Sequence, residues 1–298
     1  MRRRGEAAVW MVAAGLGAVL GAAQPGTAAT LLPLASEDAA PITHGTVETR
    51  LGVSYFRNRR FPPFTPKGTL RSQDLVSLPN FGVRVGAGDW VEIQASFEFL
   101  SIDETFRDGE VNDKFGGGDA RLFTKVRLRE ERGRWPALGL RFGAKLPNAN
   151  KEDRLGTDAT DFAFEALVSR DFGALAAHVN LGFAILGGAN AAIDGEESFT
   201  PGGQDDLFTW GLAAVGRPIA GLLGAGSETR LVAEVRGNAG THFDNDFTDL
   251  RVGAQAERGA WLFYLGGTAG IAGAAEDVGV VAGVVYRFRV QEMFAAAQ

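Results

Sequence analysis

Acid–base chemistry near neutral pH would fall to three histidines, His44, His178 and His242, in a chain that has no cysteine. The lack of thiols excludes disulfide frameworks, iron–sulfur clusters, zinc–thiolate sites and a lipid-modified N-terminal cysteine. A serine hydrolase would need one of these histidines beside its serine, and no Gly-x-Ser-x-Gly run supplies a nucleophile elbow. His44 precedes the first strand-like segment, and His242 falls in a loop. His178 alternates onto a polar face beside Asn180, so packing and hydrogen bonding are the expectation and catalysis the alternative. Asp244-Asn245-Asp246, with Asp249 following, lacks the glycine and closing glutamate of a calcium loop. Gly116–Gly118 and Gly266-Gly267 are followed by no Lys-Ser/Thr pair and cradle no phosphate. On strands such glycines permit bending, or close approach of a neighbouring segment. No catalytic residue, metal or cofactor is expected.

What remains is a long series of charges set at alternate positions. Glu48 and Arg50 alternate with Val47, Thr49, Leu51 and Val53. Glu92, Gln94 and Glu98 oppose Val91, Ile93, Phe97 and Phe99. Arg121, Lys125 and Arg127 stand against Leu122, Val126 and Leu128, and Arg141 and Lys145 against Leu140, Phe142 and Leu146. A period of two is the spacing of a half-polar strand, and helical spacing fits none of these windows. The polar face continues through Arg84, Asp161, Glu165, Arg230, Glu234, Arg236, Asp249, Arg251 and Arg287, with His178 and Asn180 among them. In this set Arg and Lys outnumber Asp and Glu by 11 to 7, although the whole chain carries a net charge of −6.

The elements that must carry these residues are about twelve strands. Their approximate spans are 46–56, 75–86, 90–100, 118–129, 137–146, 160–170, 174–187, 206–216, 228–237, 247–256, 260–271 and 278–290. Alternate links are mostly short, as at Ala87-Gly88-Asp89 and Asp171-Phe172-Gly173. The others are mostly long and polar: 57–74, 101–117, 147–159, 188–205 and 238–246. That parity is the signature of a transmembrane antiparallel up-and-down β-barrel, with periplasmic turns at one end and extracellular loops at the other. Trp90, Trp135 and Trp261 follow short turns, while Tyr55, Phe99, Phe162, Phe183 and Trp210 lie beside long loops. Two aromatic belts at two heights fit two membrane interfaces.

The first residues read as an address. Arg2-Arg3-Arg4, an apolar run from Ala7 to Leu20 and the small residues Gly26–Ala29 have the order of a secretory signal, with cleavage expected after Ala29. Its removal would leave a net charge of −8. No later apolar run reaches the length of a membrane helix, and an acidic chain offers no footprint for nucleic acid. The expected organisation is a signal at 1–29, a periplasmic N-terminal linker at 30–45, an outer-membrane β-barrel at 46–290 and a short tail at 291–298. A multi-pass place in a bacterial outer membrane follows.

The stretch Gly118-Asp119 leading into Ala120–Lys125, Pro136–Leu140, Leu146-Pro147 and His178–Phe183 resembles the MetA-pathway of phenol degradation family of outer-membrane transporter barrels. The resemblance covers residues 80–190 and implies transport of small aromatic or hydrophobic compounds. Gly283, Tyr286 and Phe288 stand at the spacing of a barrel-assembly signal, so the assembly machinery is an expected partner beside outer-membrane lipids and small solutes. The inward charges are expected to tune selectivity. Twelve strands fall between barrels that are filled by side chains and barrels that hold a water channel. A narrow conduit for passive passage and a closed barrel with a filled lumen therefore both stay open, with a barrel-embedded lipid-modifying enzyme as the third reading. Phe61-Pro62-Pro63-Phe64 could form an apolar constriction in the loop at 57–74 or a plain surface turn.

Overall fold

Each alternating segment forms a strand, and antiparallel pairing joins the strands into one closed ring. The computed structural model describes residues 34–59, 70–150, 152–153, 155–187, 206–240 and 246–290. Its strands are β1 (Thr46–Arg57), β2 (Leu70–Gly86), β3 (Val91–Phe106), β4 (Val111–Gly117), β5 (Ala120–Arg129), β6 (Ala137–Leu146) and β7 (Asp161–Asp171). They continue with β8 (Leu175–Ile185), β9 (Asp206–Gly216), β10 (Ile219–Ala220), β11 (Glu228–Ala239), β12 (Phe247–Arg258), β13 (Trp261–Gly273) and β14 (Val278–Arg289). β4 and β5 pair with successive stretches of β3 and make one stave, while β10 is a two-residue ribbon in the link from β9 to β11. Closure comes from β1 against β14, with Glu48 opposite Arg287 and Gly52 opposite Gly283. The result is an antiparallel barrel of twelve staves closed into one ring.

Burial is inverted relative to a water-soluble core. Glu92, Lys125 and Asp249 are 0% exposed, whereas Leu212 and Leu265 are 54% and 60% exposed. Apolar side chains face outward because lipid surrounds the ring, and charges face inward. Leu212, near the middle of β9, should therefore resist a charge. Leu212→Arg is expected to cost about 2–4 kcal/mol, the penalty of an arginine at the bilayer midplane. Urea unfolding in lipid vesicles measures it, and a loss of a few tenths would place this face away from lipid.

At the short-turn end Trp261, Tyr286 and Phe288 stack in sequence, with ring centroids 4.5 and 5.8 Å apart. Arg127 lies 5.1 Å over the Trp90 ring and Arg129 5.1 Å over Trp135. At the other end Phe99 stacks on Phe115.

The link expected at 101–117 is not a loop. β3 runs on to Phe106 and returns as β4, leaving only residues 107–110 as the turn. Here the polarity of the faces reverses: Leu100 and Ile102 point inward and are buried, while Asp103 points outward and is exposed. An apolar cluster of Phe56, Leu75, Leu100, Ile102, Leu155 and Val281 fills the inside of this part of the wall. Leu155 brings the loop at 147–159 inward. Residues 61–64, expected to form an apolar constriction or a surface turn, and the long link at 188–205 lie outside the described residues.

Candidate functional site

The lumen is occupied by the chain itself. Residues 34–44, read from sequence as part of a periplasmic linker, lie against inward-facing groups of strands all round the ring. A segment that touches opposite walls of a closed ring runs through its centre. Its backbone amides are collected by wall side chains. Glu234 on β11 accepts from the amides of Leu34, Ala35 and Ser36, at 3.0 Å for Ala35 and 3.1 Å for Ser36. Asn180 on β8 accepts from the Glu37 amide at 2.7 Å and donates to the Glu37 carbonyl at 2.9 Å. Ser169 on β7 accepts from Ala39 at 2.9 Å, and Glu92 on β3 accepts from Ile42 at 2.8 Å. Gly139 makes room for it: a Cβ there would meet the Ala39 carbonyl oxygen at 2.8 Å.

Glu37 is the electrostatic centre of this plug. Its carboxylate accepts from Arg84 at 2.6 Å and from Lys125 and Gln94 at 3.3 Å. Lys125 also pairs with Glu92 at 3.2 Å, with both side chains fully buried. Burial alone would raise the Glu37 carboxyl, but Arg84 and Lys125, with Arg141 and Arg50 behind them, outweigh it. They hold it well below the usual carboxylate range, so the plug's anchor stays charged at neutral and mildly acidic pH.

Above the plug lies a cavity of about 420 Å³. Glu37 and Leu34 form part of its floor. Arg50, Arg84, Arg121, Arg141, Arg236 and Arg251 line its sides, with Glu98 and Glu48 as wall carboxylates. Phe56, Leu75, Leu100, Val281 and Val285 give it an apolar arc. Arg121 pairs with Glu98 at 3.0 Å and Arg141 with Glu165 at 2.6 Å, while Arg236 and Arg251 share Asp249 at 3.1 Å each. Arg50 lies 5.5 Å over the Tyr264 ring. That ring is seated flat because the wall beneath it is glycine: a Cβ on Gly283 would meet Tyr264 Cζ at 2.6 Å.

A closed ring, charged within and apolar without, has solved counterparts. An outer-membrane channel of Pseudomonas putida F1 matches with a TM-score of 0.54 at 15% identity, covering 84% of this chain and 98% of that one. The beta domain of the Bordetella autotransporter BrkA matches with a TM-score of 0.50 at 13% identity, over 82% of this chain and 100% of that one. The translocator domain of the autotransporter NalP from Neisseria meningitidis gives 0.50 at 14%, over 82% and 88%. No family model and no curated protein matches the chain. The chain is an outer-membrane β-barrel.

Within the barrel the residues expected to face the lumen sort into three groups. Arg50, Arg84, Glu98, Arg121, Arg141 and Arg251 line the cavity. Glu92, Lys125, Asn180 and Glu234 hold the plug, as does His178 through Ser169. The rest brace the ends or the wall. Arg127 pairs with Glu130 at the short-turn rim, Arg230 bridges Glu228 and Glu257, and Glu165 supports Arg141. Lys145 joins Asp119 at 3.1 Å to Asp161 at 2.9 Å. Asp249 is paired with arginines in the lumen, and residues 241–245 lie outside the described residues.

Gly118-Asp119 and Leu146-Pro147 meet in space. The stave of β4 and β5 breaks at Gly118 and Asp119. There the Asn148 amide side chain donates to the Gly118 carbonyl at 3.2 Å, and Asp119 accepts from the Ala149 amide at 3.0 Å. Gly118-Asp119 and the two residues that follow Leu146-Pro147 form one clasp across the break. Missed from sequence were Glu37, Asp38 and Ser169. A hint existed for Glu37: the inward charges read from sequence number 11 cations to 7 anions, and Glu37 supplies an anion from outside the strands.

Proposed function

We propose that the barrel is a channel for passive passage of small molecules, held shut at its centre by its own residues 34–44. The observation that carries this reading is the charged cavity stacked directly on a plug fixed by side chains rather than by strand pairing. A segment held that way can leave without unzipping the wall. The likeness to an outer-membrane channel supports the same reading. The resemblance to the phenol-degradation family adds aromatic or hydrophobic solutes, which the apolar arc of the cavity would suit. We take residues 1–29 as a cleaved signal. The intact mass of the membrane-inserted protein checks the cleavage.

An enzymatic reading finds little support in the geometry. Ser169 Oγ lies 2.9 Å from His178 Nδ1, and Asp38 lies 3.8 Å from that same nitrogen. A nucleophile and an orienting acid need opposite nitrogens of the ring. Here Ser169 Oγ accepts from the Ala39 amide and shares a hydrogen bond with His178 Nδ1, so both side chains serve the plug. The closed-barrel reading draws on the buried clamp itself. Single-channel recording in planar bilayers decides between the two. The mature protein should show brief, infrequent openings with an anion-side reversal potential under a salt gradient. A silent barrel, silent also without residues 34–43, would leave only the closed reading.

A further inference from the structure

We propose that the lumen cavity is a binding site for a small organic carboxylate with an apolar body, and that Glu37 is an internal stand-in for that carboxylate. The proposal rests on the channel reading and names its solute class. Seven arginines line the cavity, Arg59 with the six named above, against two wall carboxylates, Glu48 and Glu98. Among the described residues Arg50 forms no ion pair, and Arg84 Nη1 is buried without a hydrogen-bond partner. Arg236 and Arg251 draw on a single Asp249. Positive charge is therefore in excess where the wall meets the plug, and the one carboxylate that reaches it from the centre belongs to Glu37. Guanidinium groups bind carboxylates through paired N–H donors, and a site shielded from water strengthens such bonds. Facing these groups, Phe56, Leu100 and Val281 offer a dry surface to the remainder of the solute. A carboxylate entering from the loop side would meet Arg59, which lies 4.5 Å over the Phe56 ring, before Arg50. It would then compete with Glu37 for Arg84 and Arg141, and winning that competition frees the plug.

Equilibrium dialysis of the full mature chain in non-ionic detergent tests this with benzoate, benzyl alcohol and benzylamine as probes. Benzoate should bind about tenfold or more tighter than benzyl alcohol, as a hydrogen-bonded charge in a shielded site requires. Benzylamine should be the weakest of the three. Glu37→Gln, which removes the competitor's charge, should tighten benzoate binding by about tenfold and change benzyl alcohol binding far less. Glu37→Asp, which keeps a folded, charged plug with a shorter reach, should give a smaller gain in the same direction. Equal affinity for benzoate and benzyl alcohol, or no gain in either variant, overturns the proposal. Tight benzoate binding to a barrel that never conducts would uphold the site and remove the channel. Conductance with indifferent benzoate binding would do the reverse.

Discussion

Tethering position 36 to position 211 should lock the barrel in its closed state. A Cβ built on Gly211 lies 3.1 Å from Ser36 Oγ, a spacing that a disulfide bridges without moving either backbone. The chain has no cysteine, so the double variant Ser36→Cys/Gly211→Cys can form one intramolecular bond only. Under oxidising conditions bilayer openings should vanish, and a reductant should restore them. A chain lacking residues 34–43 should carry about tenfold or more mean current, since each 1.4 kcal/mol or so of clamp energy is a factor of ten in open time. The clamp is made of hydrogen bonds from Glu234, Asn180, Ser169 and Glu92 and of the ion pairs on Glu37. Because the folded-state carboxyl of Glu37 is depressed, its contribution is present above the ordinary carboxylate range and lost only as pH falls through the lowered value. Mild acidification should therefore leave the current unchanged. Identical currents from the oxidised, reduced and shortened proteins would show that residues 34–44 do not gate.

The largest loss of stability is expected at Lys125. Its ammonium is fully buried between Glu92 at 3.2 Å and Glu37 at 3.3 Å. Lys125→Met keeps most of the volume and leaves both carboxylates without that partner. Breaking a buried ion pair from one side costs about 3–5 kcal/mol. Urea titration of the folded, heat-modifiable band measures it. The double variant Lys125→Met/Glu92→Gln should recover part of the loss, because the two residues share one interaction. A cost below about 1 kcal/mol would mean that water reaches the pair freely.

The ring was legible wherever one face meets lipid and the other meets charge. Val91–Phe99 and Leu138–Leu146 show why: lipid demands apolar side chains on one side, and solvation of the lumen permits charge on the other. The upper wall was hidden for the same reason. At Ser101–Phe106 Ile102 and Glu104 are both buried on the inward face while Asp103 is exposed on the other, so alternation carries no polar-against-apolar contrast and the segment resembles a polar loop. The charged lining could be assigned to a face, but its partition among cavity, clamp and rim depends on height along the barrel, which period two does not encode. Residues 34–44 carry no period at all. Their conformation is set by the walls that receive them, and only the surplus of inward cations hinted that Glu37 was needed.

The seam between β1 and β14 zips beside the residues that lead into the lumen. At that rim the Gly45 amide bonds the Gly86 carbonyl at 2.9 Å, and the Val290 amide bonds the Gly45 carbonyl at 2.9 Å. Gly45 thus ties the end of the luminal segment to both strands that flank it, so the stopper and the fastener of the cylinder share one knot.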